Sequence, residues 1–323
     1  MIQLKKTLKD LFVSKQWVFL LLVMIVISIY TGIVNPRFLT VRNLTNLLSQ
    51  VSVLSLVACG ATILIISGEI DISAGANIGL SACVMAILMG MGVSTVLAGL
   101  VGIIVAMVCS SLIGIGCIAF KAPSFIVSLA AISVFNGVAL AATSGTLKTI
   151  FGKMEFLGSG TIFGFVPVIF VIALVGYLVT HFILAYTKLG RRVYAIGDNS
   201  RAAFLAGIRI DLNKVVFFAI NGLFLGVAAL LLLARVGAAQ PTTGSGMELQ
   251  AIGAAVIGGT PMVGGKGSVV GTFFGVALWG LIANALNMLN ISPFWQEATM
   301  GMLIIVAVAI TSLRARAERT LAS

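Results

Sequence analysis

The sequence predicts an all-α polytopic membrane protein: one transmembrane domain over residues 1–323, with about ten membrane-spanning helices. Three observations support this. Apolar residues make up 60% of the chain and charged residues 9%, with a mean hydropathy of +1.17, so a globule of this length has too little polar surface to face water. Charge-free apolar runs recur at lengths near the ~20 residues that cross the hydrocarbon core as a helix. Lys and Arg also alternate from loop to loop between dense and sparse, the asymmetry that orients membrane proteins.

Gln16 to Pro36 is long enough for a first span. The basic Lys5 to Lys15 stretch before it imitates a secretory leader, but Trp17 to Val34 exceeds a leader core and no small-residue cleavage site closes it. Asn43 to Gly68 fits a second span, and Ile72 to Phe120 holds a third and fourth around a turn at Gly90 to Ser94. Ala122 to Leu147 is the fifth, Phe165 to Tyr186 the sixth and Val215 to Ala234 the seventh. Leu249 to Gly265 gives a short eighth, Gly267 to Asn287 a ninth and Pro293 to Leu313 a tenth. Glycines inside the spans, such as Gly99, Gly102, Gly114 and Gly116, let helices approach closely.

With both termini inside, the inner loops carry Lys188, Arg191, Arg192, Arg201, Arg209 and Lys214 among many others, whereas only Arg37, Arg42, Lys148, Lys153 and Arg235 fall outside. The formal charge of +11 thus sits on inner loops beside anionic lipid headgroups, and requires no nucleic acid.

The most distinctive loop is residues 187–214. Within it, Gly197 to Gly207 reads as about two turns of water-compatible helix. Asp198 or Asn199 can accept from the free N–H groups of its first turn, and Gly207 stands where a left-handed C-terminal cap belongs. Ala202 and Ala203 offer a flat small-residue surface, and Phe204 and Leu205 offer apolar pegs. Such a helix is either a docking handle for a partner in the aqueous phase or an amphipathic linker lying on headgroups.

Three segments interrupt apolar runs, and irregular backbone at membrane depth is tolerated where it is buried in protein or lines a wet cavity. In Ser67 to Gly75, Glu69 and Asp71 either line a mouth or terminate two helices, with Ser73 placed to cap the third span. Gln240 to Leu249, with Pro241 and Glu248, is an outer loop held on a fixed path by Pro and Gly. Gly258 to Gly267 sets Pro261 between glycine pairs and ends the eighth helix. Asn77, Asn136, Asn221 and Asn284 lie within spans, where amides either line a translocation path or knit helices together.

Several chemistries find no support. Cys59, Cys83, Cys109 and Cys117 lie in apolar runs without Cys-x-x-Cys spacing, as inert thiols do. His181 has no carboxylate partner on its helix, so a proton relay is poorly supported. Thr260 to Ser268 superficially resembles a phosphate loop but has Thr260 where Gly is required and Gly267 after Lys266, so ATP hydrolysis belongs elsewhere. No nucleophile stands beside a base and no carboxylates pair at metal-ligand spacing, which argues against an enzyme and against a metal site.

Ser67-Gly68 with Ile70 to Gly75, then Gly190-Arg191 with Ala195-Ile196-Gly197, Asn199, Ala202 and Gly207-Ile208, then Gln240-Pro241 with Gly244, Gly246, Glu248 and Leu249, then Gly258-Gly259 with Gly264 to Gly267, occur in an order that resembles the permease subunit of ribose-type ABC importers. The likeness extends from about Phe38 to Leu313. It implies a type II importer fold in a bacterial inner membrane and a second permease chain, identical or related. It further implies a cytoplasmic ATPase that binds the ATP and Mg, no cofactor in this chain, and a periplasmic or lipid-anchored binding protein delivering a monosaccharide. Under it, residues 187–214 carry the coupling helix, with Asp198, Asn199, Ala202, Ala203, Phe204, Leu205 and Gly207 as its contact set. Glu69, Asp71, Ser73, Asn77, Asn136, Asn221 and Asn284 become candidates for the path or gate, and Gln240, Pro241 and Glu248 for the binding-protein contact or outer gate. Two positions depart from the family pattern: Ser200 beside Arg201 where an acidic residue is usual, and Glu69 in place of Gly, adding a carboxylate that repels Asp71 if both face the path. A nucleoside, a furanose signal or inositol fits the same architecture. An ion-coupled secondary transporter requires paired intramembrane charges that the spans scarcely supply.

Overall fold

The structure, a computed structural model, describes residues 16–292 and, beyond them, 294–296, 298–299, 301–303, 305 and 309. Lys5 to Lys15, the C-terminal Arg314, Arg316 and Arg319, and much of the tenth expected span lie outside the described residues; those of the span that are described are helical through Leu303.

Helix α1 (Gln16–Val34) leads through a short 3-10 turn (Pro36–Leu39) into α2 (Val41–Ile66). There follow α3 (Ala74–Gly90), α4 (Thr95–Phe120) and α5 (Ser124–Thr143). The next connection holds β1 (Lys148–Thr149), the five-residue α6 (Glu155–Ser159), β2 (Thr161–Ile162) and β3 (Val166–Pro167). Then come α7 (Val168–Tyr186), α8 (Lys188–Asp198), α9 (Ser200–Leu205), α10 (Ile210–Val236), β4 (Ala238–Ala239), α11 (Met247–Ile257) and α12 (Val269–Met288). The strands form two antiparallel clips, Lys148 opposite Ala239 and Thr161 opposite Pro167.

Among the described residues, α2, α4, α5, α7, α10 and α12 are long and apolar enough to cross a bilayer. This is a multi-pass membrane protein. The third and eighth expected spans are shorter than full crossings. The eighth shrinks to the 11 residues of α11, roughly 16 Å of helix, because Gly258 caps it and Gly259 turns left-handed three and two residues before Pro261. The third begins at Ala74 rather than Ile72, since residues 67–73 run irregularly.

Helices α2, α3 and α10 are the most buried of the bundle, and α4 packs along α10 with its other face exposed. Buried α2 carries Ser55 and Thr62 at no cost in orphaned hydroxyls, because these donate to the Val51 and Ala58 carbonyls one turn back. Helices α4 and α10 approach backbone to backbone where Gly222 faces Ala106 and Met107, and Gly226 faces Ile103, a contact that small residues permit. Helix α5 lies at the margin with Phe125, Ile126, Leu129, Val134 and Val138 exposed, an apolar face suited to lipid or to another membrane chain.

Candidate functional site

At one end of the bundle, two helices stand between α7 and α10. Thr187 caps α8, its hydroxyl accepting from Gly190 N at 3.2 Å, and α8 buries Val193 and Ile196 on one face while Arg191 and Arg192 stay exposed. The expected two-turn helix from Gly197 is instead the end of α8, a cap and a single short helix. Asn199, not Asp198, is the cap, with Oδ1 accepting from Ala202 N at 3.0 Å. The six residues of α9 then end in a Schellman closure, Ile208 N to the Ala203 carbonyl and Gly207 N to Phe204, with Gly207 at φ +82°.

The two alanines of α9 differ in role. Ala203 is buried at 4% exposure and seats the helix, so the flat surface expected of both alanines reduces to Ala202. Phe204 and Leu205 are 67% and 80% exposed. Six residues are too few for an independent helix in water; this one is held by its two caps and by Ala203. Burial raises the Tyr194 phenol of α8 above its ordinary range, so it stays a neutral donor, and it donates to the Gly267 carbonyl at 2.9 Å.

Residues 67–73 run as unwound chain from exposed Gly68 in to buried Asp71 and Ser73. Its backbone donors are met by α5: Ile70 N donates to Ser124 Oγ at 3.0 Å and Ile72 N to Ser128 Oγ at 3.1 Å. Asp71, 7% exposed, accepts from Ser73 N at 2.9 Å, Ser73 Oγ at 2.6 Å and Asn221 Nδ2 at 2.9 Å. Asn221 also reaches Ser110 Oγ at 3.2 Å, which ties the break to the middle of α10 and α4. Nearby, Asn77 donates to the Ala106 carbonyl and accepts from Ser81. Asp71, Ser73 and Asn221 therefore form one buried network with Ser110, and Asn77 makes a separate pair of buried bonds one turn into α3.

Glu69 is not part of it. Its carboxylate pairs with Lys214 of α10 at 2.6 Å, close to the loop that carries α9. The carboxylate within electrostatic reach of Asp71 is Glu248, so the like-charge neighbour expected at Glu69 is found 177 positions further along (248 − 71). Glu248 Oε1 accepts from Gly246 N at 3.2 Å, and Oε2 is buried against Gly75. Asp71 thus accepts an N–H at the positive end of α3, whereas Glu248 Oε2 lies against Gly75 without a hydrogen-bond partner among the described residues. The same approach brings the Gly244 and Gly75 backbones into contact and sets the Pro241 carbonyl against Gly79. Residues 240–246, read from sequence as an outer loop, dip inward to reach α3. Gln240 is exposed, its N–H donating to Thr243 Oγ1 at 2.8 Å.

Beside this contact lies a cavity of about 650 Å³. Gln50, Arg235, Ser245, Gln250 and Gln296 bring polar groups around Trp279 and Met247. Among the described lining residues there is no carboxylate.

Two of the intramembrane amides stand apart. Asn284 of α12 and Asn43 of α2 exchange reciprocal hydrogen bonds, both 2.9 Å, and Asn43 also donates to the Phe38 carbonyl; this pair fastens two helices. Asn136, on marginal α5, has a buried Oδ1 without a partner among the described residues. Sequence reasoning missed α8, Ser124 and Ser128, and Tyr194. The serine pair had a visible signal: two hydroxyls four residues apart on an apolar helix just after Pro123.

A family model described as "Branched-chain amino acid transport system / permease component" matches residues 43–308. The chain is 38% identical over 288 residues to the ribose import permease protein RbsC of Bacillus subtilis (strain 168), covering 88% of this chain and 89% of that one. It is 32% identical over 295 residues to the protein of the same name from Escherichia coli (strain K12), at 90% and 92% coverage. The D-allose transport system permease protein AlsC of Escherichia coli (strain K12) is 35% identical over 307 residues, at 94% and 93%. No solved structure matches the chain.

Proposed function

The chain belongs to the branched-chain amino acid transport system / permease component family, and from that premise we propose that it is the membrane-spanning permease subunit of an ATP-driven ABC importer for a monosaccharide. The family description names amino acids. The relatives matched along about nine-tenths of their length are sugar permeases, and identity of 32–38% over that span is the more specific guide. The cavity agrees in character: amide side chains suit sugar hydroxyls, Trp279 suits the apolar face of a pyranose or furanose ring, and about 650 Å³ falls within the ~300–1,000 Å³ of small-molecule sites.

In this reading α9 lies on the cytoplasmic side of a bacterial inner membrane, both termini are cytoplasmic, and the bundle completes ten spans in a type II importer arrangement beside a second permease chain. Phe204 and Leu205 enter a groove on a separate ATPase, which holds the ATP and Mg. A periplasmic or lipid-anchored binding protein releases sugar near residues 240–248, and the cavity between α2, α10, α11 and α12 receives it. ATP-driven closure of the ATPases moves α9, and rigid helices carry that motion to the cavity. The chain contributes shape and movement, and bond making and breaking occur in the partner.

The observation that carries this reading is a doubly capped helix between two membrane spans that leaves Phe204 67% and Leu205 80% exposed. Phe204→Asp puts a charge in the apolar contact and is expected to remove the ATPase from the purified complex and abolish uptake, with the chain still inserted in the membrane. An ATPase retained at the parental ratio would contradict the docking assignment.

A further inference from the structure

Three stretches of chain from different parts of the sequence meet, with no side chain between them, just behind α9. A Cβ on Gly197, the penultimate residue of α8, would fall on the Ile66 carbonyl oxygen and 2.7 Å from Gly265 N. Gly265 N itself donates to that carbonyl at 2.8 Å. A Cβ on Gly265 would stand 2.8 Å from Asp198 Cα, and one on Gly264 would stand 3.0 Å from Gly68 Cα. Tyr194 closes the group through its bond to the Gly267 carbonyl. The end of α8, the end of α2 and the loop after α11 are therefore locked backbone to backbone.

Such a contact differs mechanically from side-chain packing. Interdigitated side chains can change rotamer and absorb a small displacement, whereas touching main chains cannot. From this junction the loop leads back into α11, an 11-residue rod. At the far end of that rod Met247, Leu249 and Gln250 line the cavity, and just before it Gly244 touches Gly75 at the start of α3. That rod, with the loop of residues 258–264 at its end, joins the neighbourhood of α9 to the cavity wall.

We infer that Gly197, Gly265 and Tyr194 are positioning residues forming the joint through which displacement of α9 is passed to α11 and so to the cavity. This rests on the proposed docking of an ATPase at α9. The joint transmits movement and touches neither sugar nor nucleotide. Gly197→Ala wedges it open; Tyr194→Phe is the mild variant, removing one hydrogen bond and keeping the ring.

The test uses the full complex of permease, ATPase and binding protein in proteoliposomes, measuring sugar accumulated per ATP hydrolysed alongside the ATPase content of the complex. The expected result is an ATPase content equal to the parent's in both variants, with the ratio of uptake to hydrolysis falling at least fivefold for Gly197→Ala and at least twofold for Tyr194→Phe. An unchanged ratio in Tyr194→Phe overturns the inference, whether uptake and hydrolysis both persist or both decline together, since a merely structural role lowers them in proportion. Failure of the docking reading looks different: Phe204→Asp then keeps its ATPase.

Discussion

Removing the Asp71 carboxylate is the sharpest perturbation of the buried network, because it leaves three hydrogen-bond donors facing each other. In Asp71→Ala, Ser73 N, Ser73 Oγ and Asn221 Nδ2 lose their acceptor, although Asn221 keeps Ser110. Bonds to a charged group contribute about 1.5–3 kcal/mol each. Relief of the desolvated charge offsets part of that loss, so a net destabilisation of about 3 kcal/mol is expected. Asp71→Asn behaves differently. Its oxygen can keep Ser73, and a flip of the Asn221 amide turns an oxygen toward the new NH2 group while still facing the Ser110 hydroxyl, so about 1 kcal/mol is expected. At roughly 2–4 °C per kcal/mol for a chain of this size, thermal melting in detergent should fall by about 6–12 °C for the alanine variant and about 2–4 °C for asparagine. A shift within about 2 °C for Asp71→Ala, or equal shifts for both variants, would refute the network as drawn.

The Asn43–Asn284 pair is expected to act as a unit. Asn43→Leu or Asn284→Leu alone strands a buried amide at a cost of about 1–3 kcal/mol, and the double variant should recover at least about 1 kcal/mol of the summed loss in a double-mutant melting cycle. Strict additivity would mean that the two amides do not pair. In the cavity, Gln250→Leu is expected to slow uptake several-fold while sugar binding to the isolated binding protein and the parental ATPase content are unchanged; parental uptake would place the sugar's route elsewhere. The sugar itself can be identified by finding which monosaccharide raises the melting temperature of the cognate binding protein.

Hydropathy made the long helices legible because burying or facing lipid demands the same residues over about 20 positions. Thus α2, α4, α10 and α12 fall close to where the apolar runs place them. Helix α8 was missed because its signal is amphipathic rather than apolar: Val193 and Ile196 are buried among Arg191, Arg192 and Asp198, a pattern easily read as a loop. The exposure of Phe204 and Leu205 was legible from their place in a solvated loop, but the burial of Ala203 depends on what α8 and α10 place beneath it. The least legible features are long-range pairings. Asp71 meets Asn221 across 150 positions and Asn43 meets Asn284 across 241, and an amide in a span looks the same from sequence whether it lines a path or joins two helices. Glu69 illustrates the point: adjacent spacing suggested repulsion from Asp71, and folding gave it Lys214 instead.

The most direct measurement is sugar uptake into proteoliposomes containing this chain, its ATPase and its binding protein, with the driving force varied. Accumulation with hydrolysable ATP, none with a non-hydrolysable analogue and none with an imposed proton or sodium gradient is the predicted result. Accumulation driven by either gradient without ATP would contradict the account.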